Sequence, residues 1–517
     1  HRRAGLALES RASATDEMAG VVAHHFWRAC DVDKALRYSL HAAAHARGLY
    51  ANREAIAHYQ RALDIAEQTD EALSATEWLE IQYQLGQAYE FLGEYDTAIA
   101  IYRAALPSSD LSRASHRRVY FQLATAYDRK GEYDQAVDHL RAIGSRLCEP
   151  EDAASRLEAA MVARGMATVY LHREQSHQAL ALCGQAQALI QDSDGREGSM
   201  SLAGEMAAER VAIYEIMADS HFNLGDYDAA VGHYERALEI SQHQGWQPII
   251  SRLLSGLGKV ARRRGNYAQA RAHAQQSLDL CREIGHIAGE AASLGILGDV
   301  AYNRGDLEQA ISHYEQALSS FRQIGDQHGI ADYCLSLAFV KIDQEEIDNA
   351  EEYLQEALGI GRNIDAALVL IRAQYHLARV ARARGDLEEA QTSAEQVIEA
   401  AQQAGIRLLE AVGHHLLGEV MAQRRQLVQA EIHMVEALRL LERLGDRFET
   451  AWALRSYARL TADRGDLPHA QAQLQRATAI FAELGAQREL NRTNAELAHL
   501  SRGGNETVRD TTLETLA

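Results

Sequence analysis

The residues able to do covalent or metal chemistry are few, and their spacing does not suit it. Gly258-Lys259 is followed by Val260 rather than Ser or Thr, and Leu253 stands where the leading glycine of a phosphate loop belongs, so no phosphate cradle is encoded. His41 and His45 lie four apart on a predicted helix, the spacing of a metal pair. Ala42-Ala43-Ala44 between them supplies no glutamate base, and no third ligand follows. His24-His25 and His414-His415 are adjacent pairs and so point to different helix faces. No Gly-x-Ser-x-Gly elbow occurs. No cofactor or metal is expected, and the chain is not expected to be an enzyme. What recurs is recognition chemistry. Arg252, Lys259, Arg262, Arg372, Arg379, Arg382, Arg455 and Arg459 stand 18, 15, 11 or 8 residues before one of a series of periodic alanines. Phe222, Tyr302, Phe339, Tyr375 and Trp452 stand at the same offsets. Arginine gives bidentate contacts to carboxylates, and aromatic rings give anchors of low entropic cost.

Those alanines are 230, 270, 310, 350, 390, 430 and 470, inside words such as GDYDAA (225–230), GDLEQA (305–310) and GDLEEA (385–390). The period is 40 residues over seven copies without drift. A constant period of this size encodes a stacked array of one supersecondary unit. Each unit touches its neighbours, and the product is a long curved surface rather than a closed pocket. Twelve residues before each anchor sits a small residue (Ala218, Gly258, Gly298, Ala338, Ala378, Gly418, Ala458) with Met217, a leucine or Tyr457 just ahead of it. Small residues let two helices approach, and the large neighbours fill the seam. Apolar spacing within each half is helical, as in Ile311, Tyr314, Ala317 and Leu318. Gly225, Gly265, Gly305, Gly385 and Gly465 open the turn before the second helix, and a second glycine series from Gly245 to Gly485 closes that helix. The fourth repeat has Glu345 and Asp365 in those places, so that joint is expected to be stiffer or distorted.

The order Leu-Gly, Tyr or a small residue, Gly-Asp-Tyr/Leu-x-x-Ala, then Tyr and Ala resembles the tetratricopeptide repeat. The fullest single match is Leu85, Gly86, Tyr89, Gly93, Tyr95, Ala98, Tyr102 and Ala105. The 40-residue version resembles the arrays of the maltose-regulon activator (MalT-like) type and of the spindle-orientation adaptors, over roughly 75–490. The resemblance implies an all-α fold: a right-handed helical solenoid of antiparallel helix pairs whose concave face holds a protein or peptide. It also implies that the first helix of each unit lines that face. The inward residues would then be Arg252, Lys259, Arg262, Tyr302, Arg372, Tyr375, Arg379, Arg382, Trp452, Arg455 and Arg459. Such a wall suits a peptide with acidic residues. A second reading of the same residues stands beside it. One position per repeat reads Asp219, Lys259, Asp299, Phe339, Arg379, Glu419 and Arg459, nearly alternating in sign. Neighbouring repeats would pair these charges in a structural ladder, leaving Arg372, Arg382 and Arg455 as surplus.

Composition agrees with an array. The chain has 517 residues, four prolines and 47% hydrophobic residues, which fits a nearly all-helical protein. A net charge of −21 argues against broad nucleic-acid contact, which needs a basic footprint. The five cysteines form no Cys-x-x-Cys pair, and no apolar run approaches a membrane-spanning length, so a reducing, cytoplasmic setting without membrane contact is expected.

Along the chain, residues 1–70 are expected to be a helical connector with degenerate repeats. The segment from Val21 to Glu67 resembles the stretch that follows the nucleotide-binding module of large bacterial signalling ATPases. It implies a parent protein with that module, and a catalytic or DNA-binding module elsewhere, for which this chain is the regulatory arm. Residues 71–190 hold three irregular repeats anchored at Ala98, Ala136 and Ala179. A linker or extended turn is expected over 191–207, the seven regular repeats over 208–488, a capping helix over 489–502 and a disordered tail over 503–517.

Overall fold

The computed structural model describes residues 1–10, 15–48, 51–68, 73–106, 114–145, 152–173, 175–191, 200–364 and 366–514. Among the described residues all regular structure is helical, from Arg2–Glu9 to Gln487–Glu514. None of these helices is long and apolar enough to cross a membrane. The chain forms two compact units. The first is His1–Val169 with Phe321–Ile330 and Asn363–Ala366; the second is Tyr170–Ser320, Ala331–Arg362 and Ala367–Ala517. Residues 192–199, the middle of the expected linker, lie outside the described residues. The last helix continues beyond 502 to Glu514.

In the first unit, the repeat with the fullest sequence match shows how the pattern works. Helix Ala75–Phe91 starts on a capping box, Ser74 and Glu77 each satisfying the other's backbone N–H. A methyl group on Gly86 would lie 2.3 Å from the Tyr102 ring, so glycine makes room for the tyrosine. The Tyr102 hydroxyl then donates to buried Glu90 at 2.6 Å.

In the second unit, each repeat is a first helix (Gln247–Arg263, Ile287–Arg304 and so on to Arg447–Asp463) followed by a second (Tyr267–Ile284 to Leu467–Leu484). All seven anchor alanines are 0% exposed. A larger side chain there would force the helix pairs apart. Asp226, Asn266 and Asp466 cap the second helices, accepting from the third backbone N–H beyond. Those helices end on left-handed Gly245, Gly285, Gly405, Gly445 and Gly485. The seam glycine Gly298 acts as expected, since a methyl group there would lie 2.5 Å from the Tyr314 ring; in the repeat of Gly258 the room for Tyr234 is instead made two residues earlier, at Gly256, where a methyl group would lie 2.5 Å from the ring.

The fourth repeat corrects one expectation. Glu345 adopts φ +65°, and the turn keeps its hydrogen bond from Glu346 N–H to the Lys341 carbonyl at 3.0 Å. The equivalent glycine turn bonds Asp386 to Ala381 at 2.9 Å. The turn at Glu345 is therefore regular, held at the cost of a left-handed glutamate, and Arg425 (φ +64°) does the same two repeats later; Asp365, the other position of that expectation, lies outside the described residues.

Candidate functional site

The expected open surface is also corrected. Within the second unit the array curls until its early turns meet its late ones. A methyl group on Gly225 would sit 3.2 Å from the Leu444 carbonyl oxygen, and one on Gly265 2.4 Å from Leu484 Cα. Arg263 pairs with Asp446 at 2.5 Å across this junction. Arg488, at the start of the last helix, reaches Asp343 of the fourth repeat, which also accepts from the Tyr302 hydroxyl at 3.0 Å. Turns without a Cβ permit backbone contact that a constant repeat pitch alone did not reveal.

The curl leaves a cavity of about 260 Å³ between the first helices. Its walls are unusually aromatic. Tyr302, Phe339, Tyr375 and Trp452 come from four different first helices, joined by Phe448 and by Tyr267 and Tyr314 of two second helices. The rings touch: Tyr302 and Phe339 centroids are 4.9 Å apart, and Trp452 meets Phe339 and Phe448 edge-on at 6.2 Å each. Arg379 lies behind them, 5% exposed, with its guanidinium 4.7 Å from the Phe339 centroid and 5.6 Å from that of Trp452. Cation–π contact of this kind fixes the ring orientations.

The structure brings together five of the eleven residues expected on the inner wall: Arg262, Tyr302, Arg372, Tyr375 and Trp452 line the cavity, and Arg379 backs it. Arg252, Lys259, Arg382, Arg455 and Arg459 do not line it. Most of the basic residues are instead engaged between repeats. Arg252 forks onto Glu215 (2.5 and 2.8 Å), Arg262 lies 3.2 Å from Asp299, Arg372 pairs with Asp332, and Arg382 lies 3.2 Å from Glu419. Arg379 lies 3.9 Å from Asp343. Arg455 and Arg459 bind Glu489 and Glu496 of the last helix. The three surplus arginines are thus partnered between repeats, although none of these pairs joins two residues of the alternating row from Asp219 to Arg459. The premise for an acidic ligand falls with the surplus.

The buried charges follow. Burial alone would raise the Glu419 carboxyl, but Arg382 and His415 outweigh it and hold it at about 2. Glu449, on the cavity wall, goes the other way. Burial and then Asp446 push it up to about 7, against Arg263 and Arg379. His376, also on the wall and 7% exposed, is held well below its ordinary value by burial and then by Arg379 and Arg372. Sequence reasoning missed Arg263, Tyr267, His376, Asp446, Phe448 and Glu449. Phe448, Glu449 and Trp452 share one helical face at i, i+1 and i+4, but that signal gains meaning only once the array is known to curl.

Among the described residues, no group of three or more His, Cys, Asp or Glu side chains could hold a metal ion. Family models match much of the chain. A MalT-like tetratricopeptide region matches residues 200–374, and tetratricopeptide repeats match 79–143, 409–483 and 371–396. No curated protein sequence matches. Among solved structures, a Rap protein complexed with Competence and Sporulation Factor is similar at 15% identity and a TM-score of 0.49, over 74% of this chain and 98% of that one. Aspartyl phosphate phosphatase F from Bacillus subtilis is similar at 12% identity and 0.45, over 72% and 95%.

Proposed function

Because the chain is a tetratricopeptide-repeat protein with a MalT-like region, we propose that its second unit is a peptide- or protein-binding scaffold whose ring-lined cavity anchors one bulky side chain of the ligand. The observation that carries this reading is the convergence of seven aromatic rings from six helices on one cavity. Aromatic residues in a desolvated pocket dominate binding energy at interfaces, while partnered rim charges contribute little. A cavity of about 260 Å³ is suited to one large side chain rather than a folded partner. The reading assigns no reaction to the chain. Selecting a random peptide library on the whole chain tests it. Enriched peptides should share one bulky apolar residue and lose binding to a Trp452→Ala variant. Peptides that bind that variant equally well would place recognition elsewhere.

A second reading adds context: the chain is the sensor arm of a larger signalling protein with a nucleotide-binding module before it. Its support is the likeness of Val21–Glu67 to the connector after such modules. The coding sequence upstream of His1 decides it, since a phosphate-loop motif is required there and a start codon immediately before His1 opposes it.

A further inference from the structure

The cavity has a polar pole, and its chemistry restricts what the anchored group can be; this step rests on the anchor-site reading above. The charged residues on its wall are internally matched. Arg262 faces Asp299, Arg263 faces Asp446 and Arg372 faces Asp332. Three wall atoms lack a hydrogen-bond partner among the described residues: Arg262 Nε, whose charge is nonetheless matched by Asp299 at 3.2 Å, and His376 Nδ1 and Glu449 Oε2, which have no such match. Buried polar atoms are normally satisfied, and unsatisfied ones on a cavity wall point to a ligand group or water. We propose that the cavity binds an apolar or aromatic group bearing an uncharged hydrogen-bonding head, with a primary amide the fullest match, seated on His376 Nδ1 and Glu449 Oε2.

Charge favours a neutral head. An acid head would meet Asp299, Asp446 and Glu449 with the nearby arginines already paired. An ammonium head would add a further positive charge beside Arg262, Arg263 and Arg372. The His376 imidazole stays uncharged, because burial, Arg379 and Arg372 all disfavour its protonation. It offers Nδ1 as donor or acceptor according to tautomer. The Glu449 carboxyl donates when protonated and accepts when ionised. A primary amide both donates and accepts, so it satisfies the pair in every one of these states. The rings of Tyr302, Phe339, Tyr375 and Trp452 supply the apolar body of the site.

Three probes with one indole body separate the heads: indole-3-acetamide, tryptamine and indole-3-acetate, titrated calorimetrically into the whole chain at pH 7. The amide should bind at least roughly tenfold tighter than either charged probe, as sites with unpaired polar groups discriminate. It should lose roughly tenfold in His376→Phe and in Glu449→Leu, and keep most of its affinity in Glu449→Gln. The wild-type comparison decides the matter even where a variant fails to fold. Tightest binding by the acetate or by tryptamine, or equal binding by all three, overturns the head assignment and leaves the anchor site standing. No binding by any probe, while selected peptides still depend on Trp452, likewise overturns only this inference. Peptides that ignore Trp452 remove the anchor site itself.

Discussion

Gly265 offers a test of the curl with its own internal control. Gly265, Gly385 and Gly465 occupy the same turn position with φ of +79°, +87° and +87°. Alanine at any of them must hold a left-handed backbone, which costs about 1 kcal/mol or somewhat more. Around Gly385 and Gly465 there is open space for the added methyl group. At Gly265 it would lie 2.4 Å from Leu484 Cα and 2.7 Å from the Leu484 carbonyl oxygen. Both are backbone atoms, so no rotamer change relieves the overlap, and the junction must open by about 1 Å to reach ordinary contact. Overpacking of that kind costs roughly 1–3 kcal/mol. The neighbouring Arg263–Asp446 pair would be stretched by the same displacement. Gly265→Ala should therefore destabilise the second unit by about 2 kcal/mol more than Gly385→Ala. Urea unfolding measures the difference, and hydrogen exchange locates it. Amides near Leu484 and Asp446 should exchange faster in Gly265→Ala only. Equal midpoints and equal exchange in the two variants would refute the contact and, with it, the curl that forms the cavity.

Glu345→Gly should stabilise the fourth repeat by roughly 0.5–1 kcal/mol, because a left-handed glutamate (φ +65°) is relieved at some entropic cost in the unfolded chain; an unchanged or lower urea midpoint opposes this. Arg455→Ala leaves the buried Glu489 with only the half-exposed Arg492 at 3.3 Å as an ion-pair partner, and should cost about 3 kcal/mol, the low end for breaking a buried pair, whereas the Arg455→Met, Glu489→Met double variant should unfold near the wild-type midpoint. A double variant as unstable as the single one would show that the pair holds the last helix by more than charge. The imidazoles of His233, His273 and His313 are held below the ordinary value of 6.5, in each case chiefly by burial. They stay neutral in the folded chain while the unfolded chain takes up protons, so stability is full above about pH 6.5 and declines as pH falls below it. Glu449, held up at about 7, acts in the opposite sense over the same range, so the check is a difference: a fall in thermal midpoint from pH 7 to 5 no steeper in the wild type than in the triple His233→Gln, His273→Gln, His313→Gln variant contradicts that assignment.

Much of the array was legible because its period is redundant. Ala230 to Ala470 repeat a single packing requirement seven times, and every copy is fully buried. The turn chemistry was legible in the glycines, but Glu345 and Arg425 were not, since tertiary packing overrides local preference and forces φ above +60° on them. The alternation Asp219, Lys259, Asp299 pointed to charge pairing, but acids of that row pair with arginines three residues past its basic members, as in Arg262–Asp299 and Arg382–Glu419. Arg372 and Arg455, two of the surplus arginines, misled because their partners lie off that row. Asp332 stands 40 residues before Arg372, and Glu489 lies in the last helix, beyond the periodic region. The cavity was least legible. It needs Tyr267 and Leu484 on one wall, 217 positions apart in the chain, and only the cumulative rotation of the repeats brings such residues together.

The central claim is that a bound peptide places one side chain among the rings around Trp452. The chain has four tryptophans, Trp27, Trp78, Trp246 and Trp452, so 5-fluorotryptophan labelling gives a four-line fluorine spectrum that a Trp452→Phe variant assigns. On titration with a library-selected peptide, the Trp452 resonance should shift or broaden while Trp27 and Trp78 stay fixed. A saturating peptide that leaves the Trp452 line unmoved contradicts the account.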